Sequence, residues 1–76
     1  MKTSVEDIRM WILEAKQDKA THLLIVCDTF SWEEYPVYVY PGENVIEKMS
    51  EYGYVAQSDS FEEKNMQKIM SVYDKM

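Results

Sequence analysis

The chain is 76 residues long, 46% hydrophobic and 29% charged, with two glycines and two prolines, so it reads as a single globular domain (1–76) and not as a disordered or collagen-like chain. Its formal net charge of −6, from 14 acidic against 8 basic residues, disfavours phosphate binding by bulk electrostatics and makes a basic partner a better expectation than a nucleic acid. No apolar run approaches the roughly 18–20 residues of a membrane span, no basic-then-apolar leader opens the sequence, and the lone Cys27 has no mate for an internal disulfide; a cytoplasmic protein without membrane contact is expected.

Residues 4–17 place Val5, Ile8, Ile12 and Ala15 at spacings of three and four, with Trp11 beside them, which predicts an amphipathic helix. Thr3 and Glu6 fit a capping box at its start, and residues 18–21 close it without a glycine. Residues 22–28, His-Leu-Leu-Ile-Val-Cys-Asp, are too short for a helix of that hydrophobicity and predict a buried strand. Residues 35–40 alternate strictly: Val37 and Val39 share a face with Tyr35, while Tyr38 and Tyr40 share the other with Pro36. This is the second strand of an antiparallel hairpin, with Pro36 at an edge or a strand start because it donates nothing to a ladder. The connection, residues 29–34, is longer than a tight turn requires, and such extra length is often functional.

Pro41-Gly42 breaks the strand, and residues 43–52 carry Val45, Ile46 and Met49 on one side of a short helix stopped by Gly53. Residues 54–57 suit either a brief third strand or a loop. From Ser60, a second capping box with Glu63 and the set Met66, Ile69, Met70 and Tyr73 on one helical face predict a last helix. The order is α-β-β-α-(β)-α. That is a small α+β domain, an antiparallel hairpin or three-stranded sheet with helices packed on one face. A two-stranded sheet is marginal alone, so residues 54–57 or a second subunit are expected to extend it.

Catalytic chemistry finds little to work with. His22 and Cys27, each the only residue of its kind, point to opposite faces if both lie on one strand, which excludes a Cys-His pair within the chain. One Cys and one His make no zinc site, and two glycines make no phosphate loop, so no cofactor is expected. Asp28, Glu33 and Glu34 flank the hairpin loop and offer the one oxygen cluster for a hard cation, leaving a metal-dependent hydrolase as an alternative; Asp28 equally suits hydrogen bonds to the amides of Phe30 or Ser31. The methionines Met49, Met66 and Met70 read as core filler.

The aromatic set carries more information. Phe30, Trp32, Tyr35, Tyr38 and Tyr40 lie on or beside one hairpin, and if helices cover the valine face, Tyr38 and Tyr40 line a half-exposed second face. Tyr and Trp bury much area at low entropic cost and are enriched at binding surfaces. Packing on Trp11 as a minor core, self-association, and a groove for a foreign ligand are the readings open to these rings.

The segments Ala20–Val39, "ATHLLIVCDTFSWEEYPVYV", and Asn65–Asp74, "NMQKIMSVYD", resemble a group of small bacteriophage and prophage proteins. These carry Thr-His, Cys-Asp-Thr-Phe, an acidic pair before Tyr-Pro-Val-Tyr-Val, and Asn-Met-Gln near the end. The resemblance implies a phage-borne accessory protein in a bacterial cell, of a class that includes inhibitors of host defence and of host enzymes. By motif it carries over Thr21, His22, Asp28, Thr29, Tyr35, Tyr38, Asn65 and Gln67 as candidate site residues, without roles. The expectation is a non-enzymatic binding protein, a homodimer or higher assembly, whose partner-binding residues are His22, Asp28, Thr29, Phe30, Trp32, Tyr35, Tyr38, Tyr40 and Asn65. Its partner would be a host protein, favoured by acidity, or a small nucleotide-like ligand, favoured by aromatic rings. An acidic decoy imitating nucleic acid is a further alternative.

Overall fold

The most apolar run of the chain forms the middle of the sheet. In a computed structural model, which describes residues 3–74, the order is α1 (Val5–Gln17), β1 (His22–Asp28), β2 (Glu33–Val39), α2 (Val45–Ser50), β3 (Tyr54–Val55), β4 (Ser60–Phe61) and β5 (Gln67–Tyr73). Strand β1 pairs antiparallel with β2, from His22 opposite Val39 to Asp28 opposite Glu33, and on its other side with β5, from Leu23 opposite Tyr73 to Asp28 opposite Gln67. The sheet order is therefore β2-β1-β5. A central strand has neighbours on both edges and, here, cover on both faces. Every residue from Leu23 to Cys27 is buried, at roughly 1.5–3 kcal/mol for each full-sized aliphatic side chain.

Helix α1 begins one residue later than the Thr3–Glu6 pair suggests. The Ser4 hydroxyl accepts from the Asp7 amide at 3.1 Å and the Asp7 carboxylate accepts from the Ser4 amide at 3.1 Å, so the reciprocal cap is built from Ser4 and Asp7. The helix ends in a Schellman arrangement: the Ala20 amide donates to Ala15 at 2.8 Å and the Lys19 amide to Lys16 at 3.1 Å, with Lys19 at φ +61 in the place glycine usually holds. Trp11, Ile12 and Ala15 pack onto Leu23, Ile25, Tyr38 and Tyr73.

Helix α2 is capped by Asn44, whose side chain accepts from the Glu47 amide at 3.1 Å. It sets Met49, with Val45 beside it, on Leu24, Val26, Val39 and Ile69. These residues occupy the other face of the sheet, because Leu24 and Val26 alternate with Leu23 and Ile25 along β1. The α+β class and antiparallel sheet stand, but the helices do not share a face: one covers each side, since β1 is apolar on both.

The last element is a strand and not the expected helix. Between Ile25 and Val26 the pairing with β5 steps from Ser71 to Ile69 and leaves Met70 as an extra residue, a β-bulge. The bulge brings Ile69 and Val72 to one face although they are three apart, opposite Val26 and Leu24 respectively. That spacing imitates a helical period. Ser60 caps nothing; it lies in β4, which pairs with β3 as a separate two-stranded ribbon through Tyr54–Phe61 and Val55–Ser60. Residues 54–55 thus form a strand, but it is β5 that extends the main sheet.

Pro36 sits on β2, an edge of that sheet, where a missing amide donor is tolerated. Gly53 is held at φ +105 with an ideal Cβ only 1.8 Å from the Glu62 carbonyl oxygen, so the two arms of the ribbon meet at its base only because this residue has no side chain. Among the described residues no helix is long and apolar enough to cross a membrane.

Candidate functional site

The connection between β1 and β2 is residues 29–32 and not the expected 29–34, because Glu33 and Glu34 already pair with Asp28 and Cys27, and it is an ordered turn organised by Asp28. Its Oδ1 accepts from the Phe30 amide at 2.8 Å and from the Ser31 amide at 3.4 Å, and its carbonyl accepts from the Trp32 amide at 2.6 Å. Trp32 closes the turn at φ +60, a left-handed conformation. With the backbone fixed in this way, Phe30 and Trp32 project from the tip, 77% and 69% exposed, the two most exposed aromatic side chains among the described residues. Asp28 therefore holds the loop in place, as its sequence position allows, and leaves the aromatic rings free.

A second turn lies against the first. Lys64 and Gln67 exchange backbone hydrogen bonds, at 2.8 Å from the Lys64 amide and 3.0 Å from the Gln67 amide, around a two-residue turn whose central residues Asn65 and Met66 sit at φ +52 and +61. Two positive φ values define the mirror-image turn that suits hairpins, most often written Asn-Gly. Here methionine occupies the glycine position and is 52% exposed. The Thr29 amide donates to the Met66 carbonyl at 2.9 Å, which locks the two turns together. Asp28, Thr29, Phe30, Trp32 and Asn65 are thus gathered at one end of the molecule, and Met66 joins them. Sequence reading placed Met66 in the core; the Asn at the first turn position, followed by a β-compatible run, was the available signal, and the absence of glycine hid it.

The tyrosines are distributed differently. Tyr38 lies under α1, its hydroxyl donating to Glu14 Oε2 at 2.9 Å; burial, and then the Glu14 hydrogen bond and charge, push its pKa up to about 12. The expected tyrosine recognition face is therefore covered by the helix that packs on it. Tyr35 is on the opposite face with the α2 cluster and donates to Gln67 Oε1, and burial raises its pKa. Tyr40 follows the far end of β2, its ring centroid 6.4 Å from that of Tyr38. His22 lies at that far end too, its Nδ1 3.0 Å from Thr21 Oγ1 and its residue opposite Val39. Six steps of about 3.3 Å along the seven paired positions separate this end from the tip, about 20 Å in all.

The three carboxylates do not converge. Asp28 pairs with Glu33 and Cys27 with Glu34, so Glu33 shares the face of Asp28 while Glu34 belongs to the other. Among the described residues no group of three or more His, Cys, Asp or Glu side chains is placed to hold a metal ion. Cys27 is 5% exposed, and burial first, then Glu34 and Asp28, push its thiol pKa up, which leaves a neutral, poorly nucleophilic group. Along α2 and its two ends, Glu43, Glu47 and Glu51 line a shallow groove that also holds Lys48 and Lys64, so positive charge interrupts this acidic row. Lys48 pairs with Glu43 at 3.2 Å, and the Tyr40 amide together with Lys48 lowers the Glu43 pKa. No family model, curated protein or solved structure matches the chain.

Proposed function

We propose that the protein is a non-enzymatic binding protein that works by occupying a partner through the β1–β2 hairpin tip, as a phage-type accessory factor in the cytoplasm of a bacterial host. The observation that carries this reading is the pair Phe30 and Trp32, 77% and 69% exposed on a turn whose backbone Asp28 fixes. A small domain gains nothing for its own stability by keeping two large aromatic side chains in water on a rigid loop, whereas aromatic anchors on a rigid scaffold are what binding surfaces use. A host protein suits this arrangement better than a nucleotide-like ligand, because Tyr35 and Tyr38 lie on opposite faces of the sheet and form no stacking cleft. The experiment is affinity purification from expressing bacteria, with mass spectrometry of co-eluting proteins and small molecules, on the natural chain and on Phe30→Ser/Trp32→Ser. A partner that is lost with the double substitution supports the reading. One that is retained in full refutes it.

A second copy of the chain is a further proposed partner, through β5. This strand is the sheet edge without proline, and Phe61, Ile69, Met70 and Val72 line an apolar groove of about 250 Å³ along it. An exposed apolar edge is a template for strand addition. Light scattering that gives the 9.0 kDa mass at every concentration would remove this partner.

A further inference from the structure

We infer that Trp32 and Met66 form, with Phe30, a two-turn apolar anchor whose backbone strain is retained for binding, and that it docks in an apolar pocket of a protein whose rim is basic. This inference rests on the hairpin reading above and adds the second turn and the chemistry of the partner. Two large residues hold positive φ here, Trp32 at +60 and Met66 at +61. Bulky side chains are rare in this region because Cβ crowds the following carbonyl, and glycine occupies it freely. Lys19, Asp59 and Asn65 also hold positive φ, but Asp and Asn tolerate it and Lys19 serves a helix end. Trp32 and Met66 each close a turn, but a glycine would close it without the Cβ penalty, and neither side chain repays the strain by packing: both are more than half exposed and neither belongs to a core cluster. Strained, exposed and apolar together is the pattern of residues kept for contact with something else.

The two turns act as one unit because the Thr29 amide binds the Met66 carbonyl at 2.9 Å. Charge around the tip selects the occupant. Asp28 and Glu33 pair at the base of the aromatic turn and Glu34 follows on the other face, while Lys64 and Lys68 lie on the β5 side, so the aromatic turn is the acidic part of the tip on a chain of net charge −6. An anionic bilayer would repel such a tip, while Lys and Arg around a protein pocket would complement it.

Three measurements on the full chain test this. Trp32→Gly and Met66→Gly are each expected to raise the melting temperature, since they relieve strain without opening the core; a fall in both would remove the strain argument. A benzophenone amino acid in place of Phe30 is expected to cross-link, in expressing bacteria, to one protein at a peptide that flanks an apolar pocket bearing Lys or Arg. With that protein purified, Trp32→Gly is expected to weaken binding by about 30-fold or more, the scale of a hot-spot residue, and added salt to weaken it further. Cross-linking to a second copy, to lipid or to nothing overturns the inference, as does a blue shift of Trp32 fluorescence on phosphatidylglycerol vesicles. Cross-linking at Phe30 to a pocket with an acidic rim, with affinity indifferent to salt, leaves the hairpin reading intact and sinks the basic-rim inference alone.

Discussion

The Tyr38 hydroxyl donates to Glu14 Oε2 at 2.9 Å and so ties the edge strand β2 to helix α1 across the face that α1 covers. Its pKa stands at about 12 in the folded chain, from burial and from the neighbouring carboxylate, against an ordinary tyrosine value near 10 in the unfolded one. The folded state therefore holds this proton more tightly. Its contribution is complete below about pH 10 and is lost as the pH rises through about 12. Thermal melts across that range should show stability falling, and Tyr38→Phe should flatten part of the slope. Tyr35, Tyr54 and Cys27 are raised as well, so a residual alkaline loss is expected.

Gly53→Ala should be the most damaging small substitution in the chain. The new methyl group would meet the Glu62 carbonyl oxygen, 1.8 Å from an ideal Cβ, at a backbone φ of +105. A loss of about 2–3 kcal/mol is expected, at the upper end of ordinary point substitutions. Gly42, with φ +95 and open space around it, should lose less on the same change. Urea denaturation of the two variants side by side makes the comparison.

Lys19→Gly should stabilise. Lys19 fills the left-handed position of the α1 Schellman turn at φ +61, where glycine avoids the Cβ penalty. A gain of about 0.5–1 kcal/mol is expected, which is a rise of a few degrees in Tm for a domain of this size.

Cys27 should react slowly with thiol reagents in the native state. It is 5% exposed on the central strand and its thiol pKa is raised by burial. Its rate of modification should track the unfolded fraction in urea. A fast, denaturant-independent reaction would mean that the strand opens locally or that the thiol is ionised.

How far the fold could be read from the sequence depended on how directly period reported face. The β1 run Leu23–Cys27 and the alternation from Tyr35 to Val39 each determined a strand, though not the inclusion of Tyr40, and Val5, Ile8, Ile12 and Ala15 determined a helix. Local capping chemistry was visible but ambiguous by one residue, because Thr3–Glu6 and Ser4–Asp7 share the same spacing. The bulge at Met70 defeated the reading of β5, since it converts a period of two into a local three. The arrangement of helices on both faces followed from β1 being apolar at every position, a clue present in the sequence and outweighed by the two-faced alternation of β2. Of the candidate site, Asp28, Phe30 and Trp32 were legible because one short turn holds them. Met66 was not, because its place beside Thr29 depends on long-range pairing of β5 with β1.

The placement of β1 between β2 and β5 also governs the order in which the protein can assemble on the ribosome. The β1–β2 hairpin is local and can close as soon as Val39 emerges. The other edge of β1 stays open until Gln67–Tyr73 follow, and for that interval a row of aliphatic residues, Leu23 to Val26, presents unpaired backbone to any neighbouring nascent chain. Truncation ahead of Gln67 would make that interval permanent, and the fragment should partition into inclusion bodies.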